Sequence, residues 1–171
     1  YKTKRATFRN ACREGMIELT MYLLHILADY DYATNAMNAL KRACWNGQLH
    51  LVKYLLEHVD APLDQHRALR AACCRGQYHV FKYFCERLSA WQLRERNTVA
   101  LAIIAAACYG SLKIIKYIVA RLNPTLDELR YNDCKALRAA RAGRKQRVFD
   151  YLLPLCDLTA AEEYNIIAYY N

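Results

Sequence analysis

The sequence predicts an all-α protein, a helix-turn-helix solenoid of about five repeats, and three observations carry that prediction. One frame is written five times. With Gly47 as zero, an apolar residue stands at −7, Ala at −4, apolar pairs at +4/+5 and +8/+9, and Tyr at +7; the frame fits again around Gly15, Gly76, Gly110 and Arg144. The anchors 15, 47, 76, 110 and 144 lie 32, 29, 34 and 34 residues apart, and a period of about 33 residues marks stacked repeats. Finally, all five glycines fall at these turns, with Gly143 one residue ahead of its anchor, and only three prolines interrupt the rest.

Taken in order, residues 3–13 are expected to form a first helix, Gly15 a turn and 16–28 a second helix with Ile17, Leu19, Leu23 and Leu24 inward. That spacing follows a helical period and not strand alternation. Residues 29–34 read as a polar link, followed by helices near 35–46 and 48–58 and a turn at Pro62, which cannot continue a helix. A third pair is expected at 65–75 and 77–88, a fourth near 97–109 and 111–122, and a fifth near 134–143 and 145–153. Ser89–Gln92, Thr125–Glu128 and Thr159–Glu162 each have the spacing of a capping box, so a helical segment should start at each. Residues 159–171, with Ile166, Ile167, Tyr169 and Tyr170, read as a partial sixth repeat or cap. The whole is expected to be a single array, with repeats at 1–33, 34–63, 64–94, 95–130 and 131–158.

The frame has a physical logic. A lone helix pair cannot bury its apolar stripe, and stacking merges the stripes into one core. Ala11, Ala43, Ala72, Ala106 and Ala140 at −4 let neighbouring first helices approach, while glycine at zero supplies the left-handed conformation that ends a helix. The +8/+9 doublets, such as Leu55-Leu56, are expected to fill the space between layers.

Hydrophobic residues make up 55% and charged residues 24%, a balance that excludes a disordered chain. No apolar run reaches the ~18 residues of a membrane helix. The chain begins at Tyr1 without a signal-peptide pattern, so it reads as an excised fragment from which any targeting sequence is missing. Of eight cysteines, Cys12, Cys44 and Cys73 all occupy −3. Layers about 8–10 Å apart are too far for a disulfide, so these read as small core residues of a reducing, cytoplasmic compartment. No C-x-x-C, His-x-x-x-His, P-loop or G-x-S-x-G elbow occurs, so no metal, cofactor or catalytic residue is expected.

Leu40, Ala43-Cys44, Gly47, Leu51-Val52 and Leu55-Leu56, and likewise Leu69, Ala72-Cys73, Gly76, Val80-Phe81 and Phe84-Cys85, resemble the ankyrin repeat. Departures are plain: Ala-Leu-Lys/Arg replaces the T-P-L-H signature, as at Ala39-Leu40-Lys41, and the glycines that shape the β-hairpin between units are missing. Reduced or absent hairpin loops, with short or helical links, are therefore expected. The resemblance implies protein–protein binding through the concave first-helix face, without catalysis. Such divergent arrays are also similar to those of large DNA viruses, protists and intracellular bacterial pathogens, which implies an effector module in a host cytoplasm.

In the ankyrin frame the exposed first-helix positions are −5, −2 and −1. The candidate partner contacts are Arg13, Glu14, Arg42, Trp45, Asn46, Cys74, Arg75, Cys108 and Tyr109, with Asn10, Ala71, Ala105, Ala139 and Ala142 completing the positions. Trp45, with Arg13, Arg42 and Arg75 on adjacent units, is the leading hot spot, because Trp and Arg dominate such sites; packing onto a neighbouring repeat is the alternative. Tyr22, Tyr54, Tyr83, Tyr117 and Tyr151 form a column best read as packing between repeats. With 25 Lys and Arg against 16 Asp and Glu the net charge is +9, which reads as a solvated basic face or as a surface for an acidic protein partner or other anionic surface, and keeps a nucleic-acid-binding solenoid as the rival function. Lys53, Lys82 and Lys116, and the cluster Arg138, Arg141, Arg144, Lys145 and Arg147, carry that charge. Oligomeric state is not written in the chain.

Overall fold

A computed structural model describes residues 2–168, so Tyr169 and Tyr170 lie outside the described residues. The helices run α1 (Lys2–Glu14), α2 (Ile17–Ile26), α3 (Ala28–Asn46), α4 (Leu49–His58), α5 (Gln65–Cys74), α6 (Tyr78–Arg87), α7 (Ala90–Arg94), α8 (Thr98–Tyr109), α9 (Leu112–Leu122), α10 (Leu126–Leu129), α11 (Tyr131–Ala142), α12 (Gln146–Leu152) and α13 (Ala160–Ala168). Short 3-10 turns cover Glu95–Asn97 and Leu153–Leu155. Among the described residues there is no strand, and the fold class is an all-α helical solenoid.

The five turns share one backbone solution. At each, the N–H at +1 donates to the carbonyl of the alanine at −4: Met16 to Ala11, Gln48 to Ala43 and Gln77 to Ala72 at 2.9 Å, Ser111 to Ala106 and Lys145 to Ala140 at 2.8 Å. This is the Schellman closure, which needs a left-handed residue at zero. Gly15, Gly47, Gly76 and Gly110 supply it with φ of 79°, 78°, 67° and 80°. The fifth turn corrects the expectation that its glycine supplies the left-handed residue one position early. Arg144 stands at zero with φ 53° and Gly143 before it has φ −79°. Gly143 is a glycine for a different reason. A Cβ there would lie 3.1 Å from the carbonyl oxygens of both Cys108 and Ala139.

The links between helix pairs are helical except at 59–64, where the chain makes the expected turn at Pro62, in keeping with the missing hairpin glycines. The polar link at 29–34 is itself helical. Helix runs from Ala28, breaks at Asp31, and resumes with the Asp31 carboxylate accepting from the Thr34 N–H at 3.0 Å. Asp64 caps α5 in the same way through the Arg67 N–H, also at 3.0 Å. The three capping boxes are formed: Ser89 with Gln92 opens α7, Thr125 with Glu128 opens α10, and Thr159 with Glu162 opens α13. Arg96 and Asn97 before α8, and Asn132, Asp133 and Cys134 within the assigned α11, are left-handed. The right-handed body of α11 therefore starts after Cys134, close to the expected 134.

Packing forms two compact units, a first built from residues through Ala72 with 77–84, and a second from 73–76 with 85 onward. In the first, α1 lies along α2 and α3, and α3 along α4; in the second, α8 lies along α9 and α11, and α11 along α12. Each column of the frame goes inside its own unit. Phe8, Leu40, Leu69, Ile103 and Leu137 at −7 are at most 4% exposed, and the five −4 alanines at most 1%. The +8 residues Leu23, Leu55, Phe84, Ile118 and Leu152 are buried, whereas at +9 only Leu24 is and Leu56, Cys85, Val119 and Leu153 are half-buried. At +5 the buried Val52, Phe81, Ile115 and Phe149 are matched in the first repeat by Thr20, 0% exposed. Its hydroxyl meets no hydrogen-bond partner beyond the neighbouring Cys12 thiol.

Candidate partner-binding face

The residue after each turn ties one layer to the one before. Gln48 Nε2 donates to the Arg13 carbonyl at 2.8 Å, Gln77 Nε2 to the Trp45 carbonyl at 3.3 Å, and Ser111 Oγ to the Cys73 carbonyl at 3.2 Å. The stem of Lys145 covers Gly110 at the same position. These carbonyls are among the last of a first helix, which have no partner within the helix itself. His50 Nε2 adds a bond to the Gly15 carbonyl at 2.9 Å. Sequence reasoning did not single out this ladder, though its signal was present. The +1 residue is polar in each later repeat and is the 52%-exposed Met16 in the first.

The ladder holds the ends of the first helices, where the −2 and −1 candidates stand. In the first unit Arg42, Trp45 and Asn46 come together around a depression of about 260 Å³, also lined by Asn38, Lys41 and Ala71. Ala71, expected on the surface, is only 8% exposed, because a methyl group lining this depression is shielded by the larger side chains around it. Asn46 Nδ2 donates to the Arg42 carbonyl at 2.8 Å, which fixes the wall. Arg13 and Glu14 form an ion pair with each other at 2.9 Å, both more than half exposed, so the pair adds little stability. Cys74 and Arg75 belong to the second unit with Cys108 and Tyr109; Cys74 is half-buried and the other three are exposed.

The basic columns are engaged within the fold. Lys53 Nζ sits 5.5 Å from the centroid of the Tyr83 ring and Lys116 Nζ 5.6 Å from that of Tyr151, so each lysine covers the tyrosine of the next repeat. Tyr54 stacks on His58, with centroids 4.2 Å apart. In the densest basic cluster Arg138 pairs with Asp133 and Arg141 covers the Phe149 ring at 5.8 Å. A second ladder joins the links of the second unit. Arg94 meets Glu128 at 3.6 Å and donates to the Leu122 carbonyl at 2.8 Å, and Arg130 meets Glu162 at 2.6 Å. Each arginine stands five residues after a capping serine or threonine, a regularity visible in the sequence once the boxes are marked.

Titration leaves little for chemistry. Burial pushes the Cys12 thiol up to about 11 and those of Cys85 and Cys156 up to about 12, and raises Cys44 further. Among the described residues no group of three or more His, Cys, Asp or Glu is placed to hold a metal, and no helix is long and apolar enough to cross a membrane.

A family model described as ankyrin repeats (3 copies) matches residues 8–97, just over half of the chain. The chain belongs to the ankyrin-repeat family. No curated protein and no solved structure matches it. Ankyrin repeats are interaction modules, typically without catalysis, and their partners are proteins. Beyond the matched span, the turns at Gly110 and Arg144 close with the same backbone bonds as the ankyrin turns at Gly47 and Gly76.

Proposed function

We propose that this ankyrin array is a non-enzymatic recognition scaffold that grips a protein through its first-helix face, with Arg42, Trp45 and Asn46 at the centre. Arg13, Glu14, Cys74, Arg75, Cys108 and Tyr109, at equivalent positions, would serve as outlying contacts. The observation that carries this reading is the half-buried Trp45 walling a preformed depression among Lys41, Arg42 and Asn46. A large aromatic beside a guanidinium, in a pocket formed before binding, is the usual composition of an interface hot spot. The five repeats are proposed to act as one array in a reducing cytoplasm, where cysteines remain free thiols. The effector reading rests on the sequence resemblance.

Trp45→Ala tests the assignment. It should leave the circular dichroism spectrum unchanged and weaken a partner captured by proximity labelling by about 30-fold, the effect of a hot-spot residue. Undiminished affinity would remove Trp45 from the site. The nucleic-acid alternative gains no support from the basic columns, since Lys53, Lys116, Arg138 and Arg141 already face rings or a carboxylate.

A further inference from the structure

A second space opens between α1 and α3. A groove of about 680 Å³ lies there, within the size range of built ligand sites. Arg5 and Arg9, one turn apart on α1, form one wall; Asn38 and Arg42, one turn apart on α3, form the other. Phe8, 4% exposed, contributes to the lining between them. Among the described residues, the guanidinium groups of Arg9 and Arg42 line the groove from its two helices, and the Asp31 carboxylate at its α3 end is engaged in capping α3 through Thr34. The groove does not stop at Arg42. Asn38 and Arg42 also line the depression walled by Trp45, so the two spaces adjoin along α3.

We propose that these adjoining spaces seat an acidic segment of a partner protein, its carboxylates paired with Arg9 and Arg42 and an apolar side chain lodged beside Trp45. Charge complementarity selects the occupant. Guanidinium forks match carboxylates in paired hydrogen bonds, and one on each of two helices fixes both position and direction. The opposite features argue against a nucleic-acid strand. The Asp31 carboxylate at the α3 end repels an unbroken run of phosphates, whereas a peptide brings N–H donors to it. Phe8, the ring lining the groove among the described residues, is too buried to stack on a base. The inference rests on the first-helix reading above and deepens it by naming the chemistry of the partner.

The test is a titration of the intact ¹⁵N-labelled chain with a blocked peptide of alternating Glu and Ala carrying one central Leu, followed by amide and indole resonances. The amides of Arg5, Arg9, Asn38 and Arg42 and the indole N–H of Trp45 should shift, while the indole of Trp91, 73% exposed, stays in place. An Arg9→Gln/Arg42→Gln double variant, shown folded by its own spectrum, should raise Kd at least about tenfold. A Lys53→Gln/Lys116→Gln control should not. Shifts elsewhere, equal binding by the double variant, no binding at millimolar peptide, or tighter binding of a short single-stranded DNA in the same groove would each overturn the proposal. Should the peptide fail while Trp45→Ala still weakens the captured partner, the first-helix reading stands and only the acidic segment falls.

Discussion

Two residues show how a position in the frame outranks the residue that fills it. Arg144 takes the left-handed conformation at zero because the Schellman bond from Lys145 to Ala140 requires it, and a residue with a Cβ is held there at a cost of about 1–2 kcal/mol. Glycine would remove that cost but lose more backbone freedom on folding. Arg144→Gly should therefore stabilise the protein by a net of about 0.5–1 kcal/mol, read as a shift in the urea midpoint at constant m-value. Thr20 is the second case, a hydroxyl buried in a column that is apolar in the other four repeats. Thr20→Val exchanges an ill-satisfied polar group for a methyl of similar size and should add about 1 kcal/mol in the same assay. A destabilised variant would mean that the Cys12 thiol is a better partner than its chemistry suggests.

At the scale of elements, the links carry the acid sensitivity. The Glu162 carboxyl is held below its ordinary value of 4.5 by the Thr159 N–H, with the Thr159 hydroxyl and Arg130 adding to it. A carboxyl depressed in the folded state contributes fully above its unfolded value and loses that contribution as pH falls through the folded one. Glu162→Gln keeps a capping-box side chain, as Gln92 does, and removes only the charge. Thermal melts should separate wild type from this variant near neutrality and converge below pH 4.5; a constant gap would assign the effect to geometry. The helix pairs, their turns and the capping boxes were legible in the sequence because each is fixed by residues a few positions apart. The break at Asp31 and the left-handed run at Asn132–Cys134 were not, since Asn and Asp tolerate several backbone states and tertiary packing chooses among them, carrying Cys134 along. The candidate site was half legible. Periodicity gave Arg42, Trp45 and Asn46, but Arg5 and Arg9 face α3 across a groove that only the packing of two first helices creates.

At the scale of the molecule, a repeat array divides its stability among neighbours, so damage should remain local. Leu55 is 0% exposed in the first unit. Leu55→Ala should cost about 2–5 kcal/mol. Amide hydrogen exchange should speed up in α3 and α4 well before it does in α11; equal acceleration in all three would mean the chain unfolds as one block. The arginine–glutamate struts of the second unit have a consequence for how such a molecule can grow. The segment from Arg94 to Glu128 carries a plug at one end and a socket at the other, and Arg130 with Glu162 repeats the fitting. A tandem copy of that stretch would arrive with its own coupling, so lengthening the chain by duplication needs no newly invented joint.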